Sequence, residues 1–139
     1  MANQTQRPDT ALHNTSHLMQ YHDLIESIVA AMDARDAYTA KHSDRVADMV
    51  LVLATALDLS EDETTLLHMA AHLHDIGKIA VPDSVLRKAG PLTNPEWEEM
   101  RRHPVTGYEI LRKVDDFKEI AVLVRHHHER WDGLSLIHI

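Results

Sequence analysis

The chain has 139 residues and 44% hydrophobic content, which is one domain's worth of sequence and enough to bury a real core. A formal net charge of −8 leaves no electrostatic footprint for a nucleic-acid backbone, and the absence of cysteine excludes disulfides, thiolate metal ligands and cysteine nucleophiles. No apolar run exceeds Met49 to Leu57, too short for a bilayer, and no leader pattern opens the chain, so neither a membrane nor nucleic acid is an expected partner and the expected compartment is the cytoplasm.

Scarce glycine and proline, with aromatics at 4%, favour an all-α protein. Residues 1–16 are polar and aperiodic and are expected to be disordered. From His17 to about Ala37, Leu18, Tyr21, Ile25, Ile28 and Met32 recur at helical spacing and predict a first helix. A second is predicted from near Thr39 to Leu57, with Val46, Val50, Leu53 and Leu57 as its core stripe. His42 lies one turn before Val46 on that stripe and should point inward; alone, it reads most simply as a satisfied core histidine.

Ser60-Glu61-Asp62-Glu63 is a capping box that starts a third helix, whose stripe runs through Leu66, Ala70 and Leu73. His68 and His72 on this helix read as packing or surface residues. The helix leads into His72-Leu73-His74-Asp75-Ile76-Gly77-Lys78, where Gly77 is expected to stop it in the left-handed conformation. An adjacent His-Asp pair at the end of a buried helix is costly unless something compensates it, and a metal ion would do so.

A short element follows Val81-Pro82-Asp83 and ends near Gly90-Pro91. Thr93-Asn94-Pro95-Glu96 is a second capping box, beginning a helix to about Arg102. Pro104 is expected to force a kink that leaves His103 as N-cap of a helix from Pro104 to Val114. The last helix is predicted from about Asp116 to Trp131, with Ile120, Leu123 and Val124 facing the core. His127 and His128 fall under that stripe as ligand candidates, while His126 sits on the opposite flank and reads as structural.

Twelve histidines are a high count for the residue that most often binds metal, and their order matters more than their number. His42, then His74-Asp75-x-x-Lys78, then His103-Pro104-x-x-Gly107, then His127-His128-Glu129-x-x-Asp132-Gly133 resembles the HD-GYP family of the HD phosphohydrolase superfamily. The resemblance covers about Ala31 to Gly133 and implies an HD-type helical bundle of about five to seven helices over residues 17–133. It implies a cytoplasmic phosphodiesterase that hydrolyses cyclic di-GMP by attack of a metal-bridged hydroxide, behind a sensory or receiver domain; a homodimer is compatible with it. It implies two divalent metal ions, iron or manganese in the first place and zinc as a further option. His42, His74 and Asp75 would bind one, Asp75 would bridge to the second, and His103, His127 and His128 would complete it. Lys78 would contact the scissile phosphate. Glu129 and Asp132 are expected to orient imidazoles or cap loops.

Two positions depart from the family pattern. Tyr38 stands where some members carry a glutamate that brings a third metal. Beyond Gly133, Leu134-Ser135-Leu136-Ile137-His138-Ile139 stands where Gly-Tyr-Pro and, later, a further metal-binding aspartate are expected. Residues 134–139 therefore read as a non-native tail, the translation of a transposon end used to tag DNA for sequencing, and the activity of this chain is expected to be impaired. Two further functions fit a weaker version of the resemblance: a general HD nucleotide phosphohydrolase, and a catalytically inactive HD signalling scaffold.

Overall fold

A computed structural model describes residues 18–36, 41–130 and 132. The expected disordered start, Tyr38, the end of the last predicted helix at Trp131 and the tail from Leu134 lie outside the described residues. Among those described, the elements are α1 (His22–Arg35), α2 (His42–Ala56), α3 (Glu61–Leu73), the single turn α4 (Asp83–Leu86), α5 (Asn94–Met100), α6 (His103–Leu111) and α7 (Lys118–His126). Three 3-10 segments, Met19–Tyr21, Ile76–Ala80 and Asp115–Phe117, join them, and no strand occurs among the described residues. The all-α bundle expected from the sequence is therefore what forms. No helix among the described residues is long and apolar enough to cross a membrane.

α3 is the central element, packed by α1, α2 and α7, while α6 lies against α7 and the 3-10 turn that follows α3. Its start is set by the Ser60 box: the Ser60 hydroxyl accepts from the Glu63 N–H, and the Glu63 carboxylate accepts from the Ser60 N–H. The core joins Ile25 and Val29 of α1, Met69 and Leu73 of α3, Leu111 of α6, and Ile120 and Val124 of α7. Tyr21 ties the start of α1 to the segment before α7, through a 3.1 Å hydrogen bond to Asp116 and an edge contact with Phe117.

The stripe expected on α2 turns inward only in its first half, where Val46 and Val50 are half-buried. Leu53 and Leu57 are 53% and 68% exposed, whereas Ser43, Ala47 and Ala54 are buried. α2 packs on α3 through small side chains, which lets the two helices approach closely and leaves the larger apolar residues on the outer face. Hydrophobicity at helical spacing identified the helix but ranked its faces by residue size, and close approach reversed that ranking.

Gly77 is also present for a different reason than a left-handed stop. Among the described glycines only Gly90 has positive φ, and Gly77 lies inside the 3-10 turn Ile76–Ala80. A Cβ on Gly77 would stand 1.8 Å from the carbonyl oxygen of His103 and 2.6 Å from the Gly107 nitrogen. The glycine is there because the backbone of α6 passes directly over it. His103, in turn, is the first residue of α6 with Arg102 as its cap, and no kink isolates it. Pro104 sits in the first turn, where its missing N–H has no intrahelical partner to lose.

Arg35, at the end of α1, holds the turn after α3 from outside. Its guanidinium donates to the carbonyls of Lys78, Ile79 and Val81 at 3.1, 2.7 and 2.6 Å and pairs with Asp83 at 2.8 Å. The Lys78 carbonyl also accepts from the Val81 N–H, and one rigid fork supplies further donors to all three carbonyls as the chain leaves the turn. Arg87 in turn donates to the Arg35 carbonyl.

Gly77→Ala is expected to cost at least about 3 kcal/mol, because the obstacle is backbone, whereas Gly107→Ala, which meets a Val124 methyl at 2.9 Å, should cost about 1–3 kcal/mol. Chemical denaturation of both variants checks the order. Arg35→Lys should lose about 2 kcal/mol in the same measurement, since a point cation cannot serve three carbonyls and a carboxylate together.

Candidate metal centre

Four segments deliver donors to one place: the start of α2 (His42), the end of α3 (His74, Asp75), the start of α6 (His103) and the end of α7 (His127, His128). His42, His74 and Asp75 place their ligand atoms within 4.8 Å of one another, and so do His103, His127 and His128. Asp75 stands between the two groups. Its Oδ2 is 3.3 Å from His74 Nε2 and 2.8 Å from Lys78 Nζ, while Oδ1 is 3.4 Å from His103 Nε2.

The orientation of the rings is set by main-chain carbonyls. His74 Nδ1 lies 2.7 Å from Ala71 O, His103 Nδ1 2.8 Å from Met100 O, and His127 Nδ1 2.7 Å from Val124 O. A carbonyl can only accept, so each Nδ1 carries a proton; the neutral rings of His103 and His127 then keep the lone pair on Nε2, while His74 Nε2 faces the Asp75 carboxylate. All three carbonyls belong to the residue three positions back, where a helix end leaves them without an amide partner. The orienting task expected of Glu129 and Asp132 is thus met by backbone for these rings; Asp132 pairs with Arg130 at 3.0 Å.

This arrangement brings like atoms together. His103 Nε2 is 3.3 Å from His127 Nε2, and in neutral rings with protonated Nδ1 neither nitrogen has a hydrogen to donate. His128 Nε2 adds a third nitrogen 3.2 Å from His103 Nε2. Lone pairs aimed at one another are repulsive unless a shared electrophile lies among them. The donor set of imidazole and carboxylate suits a divalent transition metal, and affinity order does not select which.

The electrostatics favour the deprotonated forms a metal needs. Burial lowers His103, His127 and His128, His127 to about 4 with the neighbouring histidines adding to the effect. Burial alone would raise the Asp75 carboxyl, but the hydrogen bond and charge of His74, and then Lys78, hold it well below the usual carboxylate range. His74 moves the other way: burial lowers it, and its bond to Asp75, the Asp75 charge and Ala71 together raise it.

Every residue singled out from the sequence as a ligand or catalytic group, namely His42, His74, Asp75, Lys78, His103, His127 and His128, lies in this one region. His126 turns away and bonds the Val122 carbonyl, while His68 and His72 group with His22. Sequence reasoning missed Arg101, which lines the same cleft with Trp97 and Met100 and has its guanidinium 5.8 Å from the Trp97 ring centroid. The only signal was its place two residues before His103. It also missed Arg35, for which the sequence carries no local signal, because its partners lie more than forty residues away.

Comparison with known proteins adds independent support. The family model described as HD domain matches residues 21–134. The cyclic di-GMP phosphodiesterase response regulator RpfG of Xanthomonas campestris pv. campestris is 42% identical over 113 residues, covering 80% of this chain and 30% of that protein. The 3'3'-cGAMP-specific phosphodiesterase 2 of Vibrio cholerae is 40% identical over 116 residues, covering 80% of this chain and 22% of that protein. A cyclic di-GMP phosphodiesterase of Thermotoga maritima is 37% identical over 113 residues, covering 80% and 31%. The chain therefore spans less than a third of the length of each of these three relatives. The histidine and aspartate donors that converge here lie inside the matched segment, and the chain belongs to the HD domain family, in its HD-GYP branch.

Proposed function

We propose that this chain is the metal-binding part of a phosphodiesterase that hydrolyses a cyclic dinucleotide, with cyclic di-GMP as first substrate. The observation that carries the reading is the set of ring nitrogens, their rings oriented by backbone carbonyls, that converge beside one half-buried carboxylate. We assign His42, His74 and Asp75 to one divalent ion and His103, His127 and His128, with Asp75 shared, to the other. Iron or manganese suits both, and zinc is compatible. When bound, paired ions of this kind activate water and offset charge on a phosphoryl group in an in-line displacement.

The chain's own residues do the rest. Asp75 stays ionised, so it presents one oxygen to each half of the site without protonation. Lys78, held at 2.8 Å from Asp75, is a cation at the wall of the cleft and neutralises charge on the phosphate oxygens. Arg101, which lines the same cleft and lies 3.6 Å from Glu98, offers a second cation for the far phosphate of a cyclic dinucleotide. Trp97 beside it supplies a flat surface on which a base can stack.

A second substrate has a specific observation behind it: the Vibrio cholerae relative is named for 3'3'-cGAMP. The same name class supports a mixed guanine-adenine dinucleotide here. The relative named a response regulator supports an upstream receiver domain as partner, and a homodimer remains part of the proposal.

Protein loaded with Fe(II) or Mn(II) under anaerobic conditions should hydrolyse cyclic di-GMP or 3'3'-cGAMP in preference to ordinary nucleotides. Hydrolysis confined to mononucleotides would overturn the assignment in favour of a general phosphohydrolase, and failure to retain any metal would favour a scaffold. Lys78→Ala should keep its metal content and lose roughly 100-fold in turnover. His103→Ala should lose metal and activity together, as read by elemental analysis beside the rate. Arg101→Ala should raise KM more than it lowers kcat, since its contact is with the part of the substrate that does not react.

A further inference from the structure

A second group of histidines lies outside the centre described above. His22 opens α1, His68 and His72 lie one turn apart on α3, and the ligand atoms of all three fall within 4.8 Å of one another. The rings are in contact: His68 and His72 meet edge to face at 4.7 Å, and His22 stacks parallel to His68 at 5.8 Å. His68 Nδ1 lies 3.3 Å from the Ala47 carbonyl, which fixes the proton there and leaves Nε2 as the acceptor.

His72 is the informative member. Its side chain is 5% exposed, and its buried Nδ1 has no hydrogen-bond partner. A buried imidazole nitrogen without a partner carries its full desolvation cost, so its retention in a core helix calls for a partner. Asp44 Oδ1 stands 3.7 Å from His72 Nδ1 and Glu26 Oε1 3.7 Å from His22 Nδ1, with the fully exposed Asp23 3.8 Å from the same His22 nitrogen. All three are beyond hydrogen-bond range, and all bring negative charge to balance a cation.

We propose that His22, His68 and His72 form a separate structural site for a zinc-type divalent ion, with Asp44 or Glu26 available as the fourth donor. Three imidazoles and a carboxylate make a donor set that zinc takes in tetrahedral geometry, and the site joins elements that no covalent link holds. His22 comes from α1, the other two from α3, and Asp44 from α2, so the ion would clamp the first helix onto the one that carries His74 and Asp75. Because α1 also ends in Arg35, which holds the turn containing Lys78, the clamp acts at one end of a rigid bar whose other end supports the catalytic turn. The proposal stands whether or not the dinucleotide assignment does.

The test is zinc binding to the whole chain, measured as zinc per chain after equilibrium dialysis and as a shift in melting temperature. His127→Gln/His128→Gln weakens the first centre, and in that background zinc should still bind the second site and raise the melting temperature by roughly 5 °C. His22→Gln/His68→Gln should lower zinc content by one ion per chain, with circular dichroism unchanged, because His22 is partly exposed at a helix start. Adding this pair to the His127→Gln/His128→Gln background should remove one further zinc per chain and shrink the melting shift to what His42, His74 and Asp75 support. An unchanged zinc content in His22→Gln/His68→Gln, or no melting shift in His127→Gln/His128→Gln, would overturn the site and leave the three rings as packing alone.

Discussion

Asp75 is the constraint on which the rest of the structure depends. A carboxylate this enclosed needs its charge answered, and on the Oδ2 side His74 and Lys78 do so at 3.3 and 2.8 Å. Oδ1 faces the acceptor nitrogen Nε2 of His103 at 3.4 Å, a meeting of two acceptors that a cation between them would satisfy, at the point where the end of α3 meets the start of α6. Removing any partner leaves the remaining charge short of compensation. The helical bundle is therefore arranged around an electrostatic requirement as much as around its apolar core.

That requirement sets the backbone. His103 reaches Asp75 only because α6 crosses directly over Gly77, where no side chain fits, and because Gly107 lets α7 pack beneath. Arg35 then fixes the far side of the same turn by gathering the carbonyls of Lys78, Ile79 and Val81 in one fork. The two glycines bring the strands of chain together and the arginine prevents the turn from opening. A cleft built this way has little freedom to adjust its donors, which is the condition for metal chemistry that depends on fixed geometry.

The two histidine groups use the same device at different places. In both, a backbone carbonyl takes one ring nitrogen and leaves the other as acceptor: Ala71, Met100 and Val124 in the centre around Asp75, and Ala47 at His68. The centre around Asp75 opens on a cleft with Lys78 and Arg101 on its walls, as a reacting site requires. The group around His72 buries that ring between α1 and α3 and leaves His22 and His68 half-buried, as suits a structural tie. Helix ends, with their unpaired carbonyls, make the arrangement around Asp75 available to an all-α chain, whereas the Ala47 carbonyl at His68 belongs to the interior of α2.

Much of this was legible in order along the chain. The helices followed from apolar spacing, their starts from the boxes at Ser60 and Thr93, and the donor residues from their order and their neighbours, His74-Asp75 and His127-His128 above all. These are local properties, set by residues within a turn or two of one another, and a linear sequence displays them directly. The tertiary structure alone decided the remainder. It buried Ala47 and Ala54 in place of Leu53 and Leu57, because helix approach depends on the facing helix. It gave Gly77 its purpose through an oxygen twenty-six residues away, and it gathered His22 with His68 and His72 from separate helices. It also chose which ring nitrogen carries each proton, because that depends on where a carbonyl points. Close approach and hydrogen-bond direction are relations between distant atoms, and only a folded chain brings those atoms together.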